Sequence, residues 1–234
     1  MASLAILLIS LLLLVVFCEI NFFSNKLNSF GVERYSNQFW DFNVIKDGIA
    51  IDDISQGNLK DDYLISAISA VSEFPERILR ILLQRTISPT CGYCIALCIT
   101  GVFQEFYLDD KFYYIADEEG EFSSFAFAKS QDHELWTCLV EKAFAKAYGS
   151  YMSISIGEGH EALFDLTGAP SNKMEFAKVN VENGKLKNGT AVSDSEAILI
   201  FDRILKYDEK DYIMTARSRP EGNRYDNEGI EPGH

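Results

Sequence analysis

Residues 61–72 (DDYLISAISAVS) constrain the fold more than any other stretch of the chain. The segment is apolar on nearly every side, with Leu64, Ile65, Ile68 and Val71 at helical spacing. A helix without a polar stripe has no face to offer water, so it must run through the centre of a domain and be covered all round. The 234 residues, 47% of them hydrophobic and 13% aromatic, can supply that cover as one large domain or two small ones. The same balance excludes wholesale disorder and a collagen-like fibre.

Charge narrows the partners. Asp and Glu number 35 against 21 Lys and Arg, a formal net charge of -14. Such a surface repels phosphate backbones, which argues against nucleic acid and leaves a protein or peptide partner. It tolerates cations held by oxygen ligands. The cysteines, Cys18, Cys91, Cys94, Cys98 and Cys138, are odd in number and sparse, which excludes a disulfide-stapled mini-domain.

Residues 4–17 (LAILLISLLLLVVF) are an apolar run broken only by Ser10. The run is short for a membrane span, which takes about 20 residues, and resembles a signal-peptide core. No Lys or Arg precedes it and no small-x-small site follows it. Extended to Phe23, it would span a thin bilayer, with Lys26 and Arg34 placing the body of the protein in the cytosol. Two expectations therefore stand: a membrane-associated chain facing the cytosol and attached through residues 4–23, or a secretory-pathway protein with residues 1–18 cleaved. The unpaired Cys count fits the first, and the sequon Asn188-Gly189-Thr190 fits the second.

Downstream, no internal repeat or low-complexity tract appears. Residues 24–58 are polar and broken by Gly and Asn, and read as an irregular lead-in. Pro75 restarts a second helix through Leu83. Residues 94–100 and 102–108 read as strands flanking Gly101, and residues 117–121 as a solvated acidic loop. Residues 134–148 form an amphipathic helix with Trp136, Leu139, Val140, Ala143 and Ala147 inward, stopped by Gly149. Thr167-Gly168-Ala169-Pro170 is a turn and a subdomain boundary. Residues 174–181 and 212–216 read as strands, and Ser193-Asp194-Ser195-Glu196 is a capping box opening a helix to about Lys206. His133 and His160 read as surface residues.

The chemistry sits just before the central helix, in Gln56-Gly57-Asn58-Leu59-Lys60-Asp61-Asp62-Tyr63-Leu64. A Gln six residues before a buried helix is the arrangement a papain-like protease uses. The Gln amide donates to the oxyanion, and a Cys on the helix N-terminus is kept ionised by the helix dipole and a partner His. The stretch closely resembles the calpain family's Q-G-x-L-x-D-C-W-L segment. Glu134-Leu135-Trp136 with Leu139-Val140-Glu141-Lys142-Ala143-Phe144-Ala145-Lys146, Gly149 and Tyr151 resembles that family's E-x-W-x-x-L-L-E-K-A-Y-A-K-x-x-G-x-Y signature. Leu108-Asp109-Asp110, Asp165-Leu166-Thr167-Gly168 and Gly229-Ile230-Glu231-Pro232-Gly233-His234 resemble its V-D-D, D-x-T-G and G-h-x-x-G-H segments. The resemblance runs from about residue 38 to the terminus.

This likeness implies an α+β, papain-like fold. Residues 1–23 are the hydrophobic N-terminal segment and 24–37 a lead-in. Residues 38–167 are a helical first subdomain with the central buried helix, and 168–234 an incomplete β-rich second one ending at the His position. It implies Gln56 at the oxyanion position, His234 at the general-base position and Asp62 where the nucleophilic Cys stands in the family. An oxygen there predicts loss of peptide hydrolysis, leaving a homologue that acts by binding or regulation. A carboxylate at a helix N-terminus is itself favourable by about 0.3–1 kcal/mol, so Asp61 and Asp62 also read simply as a capping pair. The likeness further places Gly48, through its carbonyl, with Asp53 and Glu134 at a calcium site; a solvated acidic surface is the alternative. Two other functions stay open. One is an active calcium-dependent cysteine endopeptidase in which another Cys reaches His234. The other is a thiol-redox or metal module built on Cys91, Cys94 and Cys98. Buried structural thiols are the plainer reading of those three.

Overall fold

The computed structural model describes residues 30–130, 132–174, 177–182, 185–191 and 193–218. Residues 4–23, with Cys18, and residues 229–234, with His234, lie outside the described residues. β1 (Phe30–Arg34) and the short α1 (Tyr35–Gln38) come first, then α2 (Asp62–Ser72) and α3 (Pro75–Ile81). A hairpin of β2 (Gly92–Ile99) and β3 (Val102–Asp109) leads to β4 (Lys111–Ala116) and β5 (Phe122–Phe125). α4 (Trp136–Tyr148), α5 (Gly159–Thr167), a hairpin of β6 (Ala177–Glu182) and β7 (Lys185–Ala191), and α6 (Asp194–Asp208) complete the order. The strands form one three-stranded sheet, β1-β4-β5, and two hairpins, all antiparallel. Helices and antiparallel strands share one core, which is the α+β class.

α2 packs into the core along one face, but the expectation that it is covered all round is corrected: Ser66 is exposed and Ile65, Ser69 and Ala70 are half-buried, a short serine-lined face that meets water. Leu64, Ala67, Ile68 and Val71 are fully enclosed, with α5 packed across them and α3 beside them. α4 supplies a second inner face through Trp136, Leu139, Val140, Ala143 and Phe144, and stops at Gly149, whose φ of 98° suits glycine. The capping box also forms: Ser193 accepts from the Glu196 N–H while the Glu196 carboxylate accepts from the Ser193 N–H.

Two expectations change. The lead-in is not irregular throughout, because β1 pairs with β4 and α1 follows it directly. Its anchor is Asp110, a buried carboxylate that pairs with Arg34 at 2.5 Å and accepts from the Ser36 hydroxyl. That partner lies 76 residues away in sequence, so no local pattern announces the strand. Residues 212–216 are not a strand. Tyr212 stacks on Tyr207 with ring centroids 5.2 Å apart, Ile213 packs on the core, and Thr215 presses against Gly159 at the start of α5. The apolar side chains of this segment serve packing instead of a ladder.

Burial predicts the sensitivity of the fold. Ile68→Ala should lower unfolding stability by about 2–5 kcal/mol in denaturant titration, the range for emptying a filled core site. Ile198→Ala on α6, where the side chain is 62% exposed, should stay within about 0.5 kcal/mol. Equal losses at both positions would mean that α2 is not the centre.

Candidate functional site

The site begins with the loop that carries Gln56. Ser55 and Lys129 exchange backbone hydrogen bonds at 2.9 and 3.0 Å, and the Asn58 N–H donates to the Ala126 carbonyl at 2.8 Å. This pairing lays residues 55–58 along residues 126–129. Between the two bonds sits Gly57, where an added Cβ would lie 2.3 Å from the Phe127 carbonyl. Only glycine permits so close an approach. The loop is thus seated on backbone, and Gln56 is held a fixed step from the first turn of α2.

Asp62 is the first residue of α2, at the helix N-terminus where the family resemblance puts the nucleophile. Asp61 precedes it as N-cap, but its side chain makes no capping hydrogen bond. The capping-pair expectation is therefore corrected for Asp61: its carboxylate is fully buried and turned inward. Its Oδ1 accepts a long bond, 3.4 Å, from Gln56 Nε2, which donates at 2.9 Å to the Leu59 carbonyl. The amide suited to an oxyanion is thereby engaged within its own loop. Tyr63, in the position of the family Trp, lies against Gly157, where an added Cβ would meet its ring at 2.3 Å. Burial, with nearby carboxylates, pushes the Tyr63 hydroxyl up to about 12.

Sequence reasoning missed Glu141. It was read only as part of the α4 signature, yet it is buried among Thr137, Cys138 and Ala145 on a second covered face of that helix. Both of its oxygens lie 3.1 Å from the Ala128 N–H, and it is in hydrogen-bond contact with Asp61. A charged residue one helical turn from Cys138 and Thr137, within a helix whose other face is plainly apolar, was the available signal.

A second carboxyl pair lies at the opposite end of the Gln56 loop. Glu134 is buried. Its Oε1 accepts from the Lys46 N–H, and its Oε2 accepts from Trp136 Nε1 at 3.1 Å and from the Ser130 hydroxyl at 3.4 Å. The Asp53 carboxylate, which accepts from the Ala50 N–H at 2.7 Å, touches it. Burial and the Asp53 charge together raise the proton affinity of Glu134. Gly48 stands on the adjoining loop with φ 108°. Two like-charged oxygen donors in contact, beside a loop whose Gly48 is exposed, have the chemistry of a hard-cation site. Among the described residues no group of three or more His, Cys, Asp and Glu converges, so any ion here would rest on two carboxylates and backbone oxygens.

The thiols do not assemble. Cys94 and Cys98 lie on β2 four residues apart, roughly 13 Å along a strand. Cys91, Cys94, Cys98 and Cys138 are all free, and burial pushes the Cys94 and Cys138 thiols up, away from the thiolate. Cys138 donates to the Ala128 carbonyl. His133 pairs with Asp41 at 3.0 Å and stacks on Phe39, a surface arrangement. Asp165 accepts from the Tyr148 hydroxyl, which braces the turn at Gly168.

Comparison with known proteins agrees with this geometry. The chain is 28% identical over 184 residues to the calpain-type cysteine protease DEK1 of Arabidopsis thaliana, covering 78% of this chain and 8% of that protein. It is 27% identical over 154 residues to calpain-13 of Rattus norvegicus, covering 61% of this chain and 22% of the relative. Against the calpain-1 catalytic subunit of Mus musculus it is 32% identical over 173 residues, with coverages of 66% and 23%. The chain thus spans less than a quarter of the length of each of these relatives. The sequence profile described as calpain family cysteine protease matches residues 23–234, so the likeness also takes in the strand and helix ahead of residue 38. With that match over most of its length, the chain belongs to the calpain family of cysteine proteases.

Proposed function

We propose that this chain is a calpain-fold protein that works by binding a protein or peptide, in a regulatory role, without cleaving it. The observation that carries the reading is Asp62 at the first position of α2. Acyl transfer needs an attacking atom that stays on the carbonyl while the amine departs. A carboxylate is a far better leaving group than an amine, so a tetrahedral adduct of Asp62 would return to peptide. The helix N-terminus that would activate a thiol does not make a nucleophile of a carboxyl oxygen. Gln56 points the same way, since its amide is spent on Leu59 and Asp61. The alternative of an active calcium-dependent endopeptidase needs a second thiol, and burial disfavours thiolate at Cys94 and Cys138. Membrane attachment would run through residues 4–23. Among the described residues no helix is long and apolar enough to cross a membrane.

A second proposal concerns Gly48, Asp53 and Glu134, for which calcium is the fitting ion. Calcium accepts several oxygen ligands in flexible geometry, and its charge would relieve the repulsion between the two touching carboxylates. In that state the ion would brace the loop of residues 48–56 against the start of α4. It would act on the scaffold rather than on a substrate.

Purified full chain should leave peptide and casein substrates intact with and without calcium. Calcium-dependent cleavage that disappears in an Asp62→Ala variant would overturn the binding-only reading. For the ion, calcium at about 100 times its dissociation constant should raise unfolding stability by about 2.7 kcal/mol. Glu134→Gln should abolish that gain, and a melting temperature indifferent to calcium in the unaltered chain would end the proposal.

A further inference from the structure

The start of α2 holds a feature that neither the binding reading nor the calcium reading uses. Asp61 and Glu141 are 0% and 1% exposed, and their carboxyl groups are in hydrogen-bond contact. The Asp61 Oδ1 takes the Gln56 amide and both Glu141 oxygens face the Ala128 N–H, but the fully buried Asp61 Oδ2 meets no donor from any other residue. A buried oxygen left without a hydrogen costs about 1–3 kcal/mol, more when charged. Two carboxylates cannot share a dry contact unless one of them carries a hydrogen.

The surroundings offer no other remedy. Among the described residues neither carboxyl takes part in an ion pair. The titratable groups around them are Asp62 and Tyr63 on α2, Cys138 on α4, Tyr113 on β4 and Tyr151 in the turn after α4. All of these are acids. Lys129 acts on the neighbouring Cys138, and no cation is among the groups that shift Asp61 or Glu141.

We infer that Asp61 and Glu141 hold a single proton between them, Glu141 donating it to Asp61 Oδ2, and that this proton is the fastener joining the Gln56 loop to α4. The chain of contacts is continuous. Gln56 donates to Asp61, Asp61 accepts from Glu141, Glu141 accepts from the Ala128 N–H, and the Ala126–Lys129 segment pairs with the Gln56 loop through Ser55 and Asn58. Loss of the proton leaves two buried negative charges facing one another where the loop meets the helix. Burial first, and then the charge of Asp61, raise the proton affinity of Glu141 far above that of an exposed carboxyl. In the unfolded chain both groups are ordinary acids, so the folded state keeps a proton that the unfolded state gives up. The stabilisation is therefore complete below the unfolded carboxyl range, and it is lost as pH rises toward the raised affinity of the pair.

The test compares the full chain with Glu141→Gln, whose amide supplies a permanent N–H to Asp61 while its carbonyl accepts from Ala128. Unfolding constants would be measured from about pH 5 to about pH 9, where one linked proton changes the folding constant tenfold per pH unit. The ratio of variant to parent folding constants should climb with that slope, and infrared spectra of the parent at neutral pH should show a protonated-carboxylic carbonyl band missing from the variant. Asp61→Asn, which donates to Glu141 from the other side, should flatten the same pH dependence. Parallel pH curves for parent and variant, or no carboxylic band in the parent, would overturn the inference. Should both variants fail to fold, the parent's infrared band alone decides it.

Discussion

Water is kept away from the inner face of α2 and from the residue just before it, and that exclusion governs what happens at its N-terminus. A carboxylate on an exposed helix end is solvated and of little consequence. At the start of α2, Asp61 finds no water and no capping bond, so its charge has to be met by protein groups. The Gln56 amide and the Glu141 carboxyl are what the fold places there. The loop that carries Gln56 is consequently tied to the core by polar contacts at one end and by backbone pairing over Gly57 along its length.

How much of this the sequence disclosed depends on the range of the interaction involved. α2, α4, the β2–β3 hairpin and the capping box of α6 arise from periodicity and capping within short windows, and all were legible. β1 was not, because its reason for being a strand lies in β4 and in the distant Asp110. Residues 212–216 misled in the opposite sense, since a short apolar segment does not report whether a partner strand lies beside it. Within the site, Gln56 and Asp62 were readable from spacing and family likeness. The inward turn of Asp61 and the role of Glu141 were not, because a Glu on a helix reads as solvated until the second covered face of that helix is known.

Two pairs of touching carboxyls flank the Gln56 loop, and their surroundings separate their chemistry. Asp53 of the Glu134 pair is only partly buried, and the Gly48 loop beside it is open, with empty space where a side chain would stand. On the calcium proposal, an ion would approach that pair from the Asp53 side, and backbone carbonyls would complete its ligands. The Asp61–Glu141 pair is itself buried, with Gln56, Ala128, Cys138 and Tyr151 as neighbours. A proton is the positive charge that needs no shell of ligands around it. On the readings proposed above, a proton would answer like-charge repulsion at the inner pair and a calcium ion at the outer one. Asp62, at the first position of α2, is a member of neither pair, although its charge adds to burial in raising the proton affinity of Asp61.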